Sequence, residues 1–313
     1  MKIKRNLAPL TTESRNPHTW QLDILPTRRL VELLNDEDQE VAKAVRRSIP
    51  QITRAVEIIS NQMIRGGRLI YVGAGTSGRI GILDAVECPP TFNTEPEQIQ
   101  GVIAGGFETC YCASEANEDD ANAGARDLLK KAVSARDVIV GIAASGRTPY
   151  TCGALLFANA MGAKTIALVN NSRSEMKKIA GLTIEALTGP EALTGSTRMK
   201  AGSAQKMICN ILSTATMVRL GAVYSNLMIN VHMKNEKLVR RGIRILQEIT
   251  GTDEAGARKA LASAHGDLRI AAVMVRRKCN VLTARNILKQ VKGNLRKALG
   301  RTGLTETCRR SSR

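Results

Sequence analysis

Five short apolar runs divide the middle of this chain: RLIYV (68–72), QGVIA (100–104), DVIVGIAA (137–144), KTIALVN (164–170) and LTIEAL (182–187). Each is rich in β-branched residues and bounded by Gly, Asn or Ser, which is the chemistry of a strand. Helix-length stretches lie between them, at about 77–86, 118–133, 148–161 and 173–180. Strands joined by crossovers of that length run parallel, and a parallel sheet has to be covered on both faces. The expected fold class is therefore α/β, a parallel five-stranded sheet flanked by helices.

Helical patterns occupy both ends. In residues 27–66 apolar positions recur at three and four, with Pro50 marking a break or kink and Gly66-Gly67 a stop. Residues 1–66 are read as an N-terminal helical segment and 67–232 as the sheet domain, which includes a long buried helix at about 194–221. A further helix is expected at about 233–249. Beyond it come three short patterns, DEAGARKALASAH, DLRIAAVMVRR and TARNILKQVKGNLRKAL, with Thr252 and Thr283 as N-caps of the first and third. These predict a small three-helix C-terminal domain within 233–300, followed by a basic disordered tail, 301–313.

Composition narrows the function classes. Aromatic residues make up only 3% of the 313, which argues against a nucleic-acid module built on base stacking. No apolar run reaches the roughly 18–20 residues of a membrane span, and the N-terminus lacks the apolar core of a secretion signal. The expectation is a cytoplasmic protein without a membrane partner. Seven scattered cysteines read as reduced thiols, and His18, His232 and His265 never fall at zinc-binding spacing, so no metal is expected. From residue 233 onward there are 20 Lys and Arg against 6 Asp and Glu, which is +14 of the net +18. Such charge attracts polyanions, but a charge run is more often the solvated face of helices. Nucleic acid is not the expected partner.

The stretch YVGAGTSGRIG (71–81) places G-x-G-x-x-G (Gly73, Gly75, Gly78) directly after the first strand. A dinucleotide site would need an acidic residue at the end of the next strand to hold the ribose. That strand instead runs into Gly105-Gly106, and Glu95 and Glu97 precede it. What the loop does offer is Thr76 and Ser77, hydroxyls able to wrap a single phosphate beside backbone N–H groups. A second loop, Ser145-Gly146-Arg147-Thr148, has the same character after the third strand. Either alone fits an ordinary strand-to-helix turn. Together they predict one phosphomonoester, on a small sugar, contacted by Thr76, Ser77, Ser145, Gly146, Arg147 and Thr148.

YVGAGTSGR and ASGRTPY resemble the sugar isomerase (SIS) fold. The strings TESRNP (12–17), GRIGILDAVECPPTF (78–92), AGG (104–106) with NEDD (117–120), GPEALTGSTRMKAGSAQK (189–206) and VYSNLM (223–228) are more specific. Together they are similar to the N-acetylmuramic acid 6-phosphate etherases. This resemblance implies a homodimer of SIS-type sheets that cleaves the D-lactyl ether of N-acetylmuramic acid 6-phosphate in cell-wall sugar recycling. It implies two glutamates and no metal or nucleotide cofactor. By motif match Glu87 corresponds to the family's proton donor and Glu118 to its second active-site residue, while the sequence leaves open which is acid and which is base.

The residues alone read more plainly. Glu87 also fits a partly buried helix-end carboxylate bound to Arg79, and Glu118 an acidic cluster at a helix N-terminus. Arg198, Lys200 and Lys206 fit either substrate anions or helix-surface charge. Val86, Ala201, Ser203, Asn230 and His232 depart from the family pattern. Two alternatives use the same loops, a non-catalytic phosphosugar sensor and an aldose–ketose isomerase. DAVECPPTF does not fit the isomerases, and no helix-turn-helix precedes the sheet region.

Overall fold

The computed structural model describes residues 10–112, 117–230 and 236–300. The expected tail, 301–313, and His232 lie outside the described residues. Two compact units emerge: one takes the residues up to Glu87 together with Glu95–Thr216, the other Cys88–Thr94 and the residues from Met217 onward.

The first unit opens with α1 (Thr27–Arg47) and α2 (Ile49–Ile64). Of the two expected roles, Pro50 marks the break between these helices and not a kink within one. It sits in the first turn of α2, where its missing N–H would have had no partner. There follow β1 (Leu69–Gly73), α3 (Gly75–Phe92), β2 (Ile99–Ile103), α4 (Ala121–Lys130), β3 (Val138–Ala143), α5 (Pro149–Ala160), β4 (Lys164–Val169), α6 (Met176–Ile179), β5 (Leu182–Glu185) and α7 (Lys200–Arg219). All five strands pair in parallel, in the order β2-β1-β3-β4-β5. Every residue of β1 and β3 is buried, as strands covered on both faces require.

Alternate residues serve opposite faces of the sheet. Ile70, Val72, Ile139 and Val169 share a core with Leu128 of α4 and Tyr150, Ala154 and Leu155 of α5. On the other face Gly81 of α3 lies against Tyr71, so close that an added Cβ would stand 2.7 Å from the Tyr71 Cβ. The Tyr71 hydroxyl donates to Asp84 at 2.8 Å. Asp84 also accepts from Asn210 (2.7 Å) and Ser213 (3.0 Å) of α7, which ties α3 and α7 together. At the N-terminal edge Arg68 Nε and Nη2 straddle Asp137 at 3.0 and 2.8 Å, holding the starts of β1 and β3.

The second unit contains a two-stranded antiparallel hairpin, β6 (Val223–Tyr224) and β7 (Leu227–Met228), then α8 (Glu236–Thr250), α9 (Glu254–Ser263), α10 (Leu268–Arg277), α11 (Val281–Gln290) and α12 (Leu295–Leu299). The three helical patterns read between 252 and 300 are present, the third divided around Gly293 into α11 and α12. Its caps differ from those expected. Asp253 rather than Thr252 accepts the capping N–H of α9, and Asn280 rather than Thr283 that of α11. Each cap immediately precedes the first residue of its helix, and its short side chain reaches the N–H three residues on. Leu246, Ala257, Ala271, Val273 and Ala284 form this unit's core. No helix among the described residues is long and apolar enough to cross a membrane.

Candidate functional site

Strand order decides where a ligand can sit. The chain leaves β1 for β2 on one side, then returns across β1 to β3 on the other. The winding direction reverses there, and in open α/β sheets such a switch point is where a ligand crevice lies, outside the C-terminal ends of β1 and β3. The glycine loop follows β1 and the 145–148 loop follows β3, so the two loops flank that crevice.

In the first loop Gly75 has φ +50° and starts α3. Ser77 is buried and its hydroxyl donates to Gln205 Oε1 at 2.9 Å, while Gln205 Nε2 donates to Asn170 Oδ1 at 2.9 Å. Its single proton is thereby engaged, and Ser77 presents lone pairs rather than a free donor. Thr76 is half-buried in the same turn.

In the second loop Gly146 has φ +63°, and a Cβ there would fall 2.1 Å from Ser174 Oγ. Ser145 Oγ accepts the Arg147 N–H at 3.2 Å. Arg147 Nε donates to the Arg173 carbonyl at 3.3 Å, drawing its guanidinium toward the loop after β4. Thr148 precedes α5 without making a side-chain capping bond, so the helix leaves its half-buried hydroxyl uncommitted.

Glu118 joins the two loops. Its carbonyl accepts the Tyr150 N–H at 3.0 Å, at the start of α5. Its carboxylate reaches the glycine loop, with Oε1 3.0 Å from where a Cβ on Gly75 would stand. The acidic cluster divides its work: Asp120 caps α4, accepting from Asn122 (2.8 Å) and Ala123 (3.1 Å). Glu118, two residues earlier, is turned to the crevice instead of the helix end.

A family model for the glucokinase regulatory protein N-terminal SIS domain matches residues 51–159, and the SIS domain model matches residues 116–215. The N-acetylmuramic acid 6-phosphate etherase of Mycolicibacterium smegmatis is 50% identical over 295 residues, covering 94% of this chain and 99% of its own. The Edwardsiella ictaluri etherase is 49% identical over 94% of this chain and 98% of its own. Etherase 2 of Vibrio cholerae is 47% identical over 94% and 95%. The chain belongs to the N-acetylmuramic acid 6-phosphate etherase family.

The etherase motif around Glu87 lies elsewhere on the molecule. Glu87 is exposed, and Arg79 is not its partner: the Arg79 guanidinium donates to the carbonyls of Thr109 (2.7 Å) and Cys110 (3.0 Å). Twelve residues of α3 separate Glu87 from Gly75, a rise of about 18 Å and about a third of a turn around the axis. Val86 beside Glu87 is exposed as well, while Cys88 on its other side is buried. The chain by itself does not bring Glu87 and Glu118 together.

Other residues of the etherase strings have structural partners. Lys200 is neither at the crevice loops nor on the surface. Its ammonium is buried against Glu37, which also accepts from Asn16 at 2.7 Å and lies 2.9 Å from His18 Nδ1. Burial pushes the Glu37 carboxyl up, but Lys200, His18 and Asn16 outweigh it and hold it below the usual range. Arg198 and Lys206 are exposed. Glu191, which the sequence reading passed over, is fully buried and accepts the N–H groups of Lys200 and Ala201, both at 2.9 Å, capping α7. Of the departures, Ala201 is buried at that cap, Ser203 is exposed, and Asn230 Nδ2 donates to the Phe92 carbonyl at 2.5 Å.

Proposed function

We propose that this chain opens the D-lactyl ether of N-acetylmuramic acid 6-phosphate, yielding N-acetylglucosamine 6-phosphate and D-lactate, as a carbon–oxygen lyase. Family membership over almost the full chain carries this reading, and Glu118 bridging the two phosphate-type loops supports it. In this reading the hydroxyls of Thr76, Ser145 and Thr148 and the N–H of Ser77 receive the 6-phosphate, while Gly146 and Arg147, whose N–H groups are bonded to Ala143 and Ser145, shape the second loop around it. That anchorage sets the sugar's C2–C3 bond against a carboxylate.

The chemistry needs an acid and a base. In the open-chain sugar the C1 aldehyde makes the C2 proton acidic. A base removes it and the C3–O bond breaks as an acid gives its proton to the departing lactate oxygen. Water then adds to C3 of the α,β-unsaturated aldehyde and a proton returns to C2, so one water is consumed overall. Glu87 and Glu118 are the proposed pair, and each positioned group is worth about 10²–10⁴-fold. No cofactor enters this sequence of steps. The setting that goes with it is a cytoplasmic homodimer serving cell-wall sugar recycling.

The test is D-lactate release from N-acetylmuramic acid 6-phosphate by the purified protein. Turnover that drops by about 10²-fold or more in Glu118→Gln, with phosphosugar still bound, upholds the reading. Tight binding without any lactate release by the wild type refutes it.

A further inference from the structure

We infer that Glu13 is a further substrate-contacting residue: its carboxylate accepts hydrogen bonds from the hydroxyl and acetamido groups of the phosphosugar held at the two loops. The inference deepens the etherase reading and rests on it.

Glu13 belongs to a short strap, Thr11–Glu13, fastened to the C-terminal end of the sheet. The anchor is Asn171, in the loop that follows β4. Its Oδ1 accepts the Thr11 N–H at 2.8 Å, and its Nδ2 donates to Thr12 Oγ1 at 3.1 Å. The same Nδ2 donates to the Ala144 carbonyl at 3.0 Å, one residue before Ser145. Asn171 and Thr12 are both buried, so this bridge is a fixed part of the framework.

On its other side the strap meets the turn before α7. The Gly195 N–H donates to the Thr12 carbonyl at 3.2 Å, and Glu13 Oε2 is 3.3 Å from where a Cβ on Gly195 would stand. The chain then turns through Thr197, whose carbonyl accepts the Gly202 N–H at 2.9 Å. A Cβ on Gly202 would lie 3.5 Å from Thr76 Cγ2, so this turn connects the strap with the glycine loop. Glu13 is thus tied to the second loop through Asn171 and to the first through the turn. Its setting repeats that of Glu118: Gly195 (φ +77°) faces one carboxylate as Gly75 (φ +50°) faces the other.

Thr11 and Thr12 spend their polar groups on holding the strap, and Glu13 does not. Its carboxylate is exposed and, among the described residues, has no hydrogen-bond or ion-pair partner. An ionised carboxylate offers acceptors only. It repels the 6-phosphate, so the groups it suits are donors on the carbon chain, the sugar hydroxyls and the acetamido N–H. The backbone that carries it is already fixed, which spares binding the cost of ordering it.

The experiment titrates N-acetylglucosamine 6-phosphate and, separately, inorganic phosphate into wild type, Glu13→Ala and Glu13→Gln by calorimetry. Glu13→Ala is expected to weaken the phosphosugar about 10- to 100-fold, the worth of hydrogen bonds to a charged acceptor. Inorganic phosphate should bind as before or more tightly, since a negative charge is gone. Glu13→Gln keeps a carbonyl acceptor and should lose less, and both variants should melt with wild type. A purely structural role would weaken both ligands alike; that result overturns the inference, as does unchanged phosphosugar binding by Glu13→Ala. D-lactate release by the wild type, measured on the same preparation, keeps the two readings apart. Release beside an unaffected Glu13→Ala leaves the etherase reading standing without the inference. A wild type that binds no phosphosugar defeats both.

Discussion

A Cβ on Gly75 would stand 3.0 Å from Glu118 Oε1. Glycine at this position, with φ +50°, therefore does two things: it supplies a backbone shape that alanine adopts poorly, and it leaves room for a carboxylate. In Gly75→Ala the new methyl group displaces Glu118. A misplacement of that size at a reacting group costs up to about 10²-fold, so kcat is expected to fall about 10- to 100-fold. The backbone strain should cost only about 1 kcal/mol of stability. D-lactate release and a thermal melt on the same sample measure both, and an unchanged kcat would remove Glu118 from the chemistry.

The hydroxyls of the two loops are expected to separate on substitution. Thr148 makes no capping bond, so Thr148→Val should leave the melting temperature unchanged. It should weaken binding of N-acetylglucosamine 6-phosphate about tenfold, the worth of one hydrogen bond to a charged group. Ser77 donates to buried Gln205, and Ser77→Ala leaves that acceptor unsatisfied. It should lower stability by about 1–3 kcal/mol as well as disturb the loop. Calorimetric titration with the phosphosugar, beside melting curves, distinguishes the two. A Thr148→Val protein that binds as wild type takes Thr148 out of the phosphate site.

The legible part of the fold is the part that local chemistry determines. Buried parallel strands must be apolar along their whole length, so β1 and β3 stand out in any reading of the chain. The two-residue strands β6 and β7 are too short to carry a period. Glu118 and Asp120 are two acids in one string, and only tertiary structure shows that Asp120 caps α4 while Glu118 faces Gly75. The distance of Glu87 from the loop was present in the spacing, since twelve helical residues fix it. Its consequence needed the observed position of Glu118. Lys200 was opaque because its partner, Glu37, lies 163 residues away.

The Lys200–Glu37 pair makes a strong test of that last point. Lys200→Met leaves the Glu37 carboxylate buried with Asn16 and His18 but without its cation. Losing one member of a buried pair typically costs about 3–5 kcal/mol. Lys206→Met, at an exposed position in the same string, should stay within about 0.5 kcal/mol of wild type. Urea titrations of the two variants measure the contrast. If Lys200→Met unfolds like wild type yet loses turnover, the lysine belongs to the chemistry and not to the framework.

Acid should loosen the N-terminal edge of the sheet through Asp137. Burial pushes its carboxyl up, but the Arg68 guanidinium and the Ser134 N–H prevail and hold it below the usual carboxylate range. A carboxyl held low in the folded chain binds fewer protons there than in the unfolded chain. Its contribution is therefore complete above the unfolded value of about 3.9 and is lost as pH falls through the lower folded value. Asp137→Asn removes the charge that Arg68 neutralises, so near pH 7 the variant should melt well below wild type. Because wild type alone loses this contribution in acid, the gap between the two melting temperatures should narrow as pH drops below about 4. Melts from pH 7 down to the acid limit of solubility test this. A gap that stays constant across that range would mean that the Arg68–Asp137 contact does not depend on the ionised carboxylate.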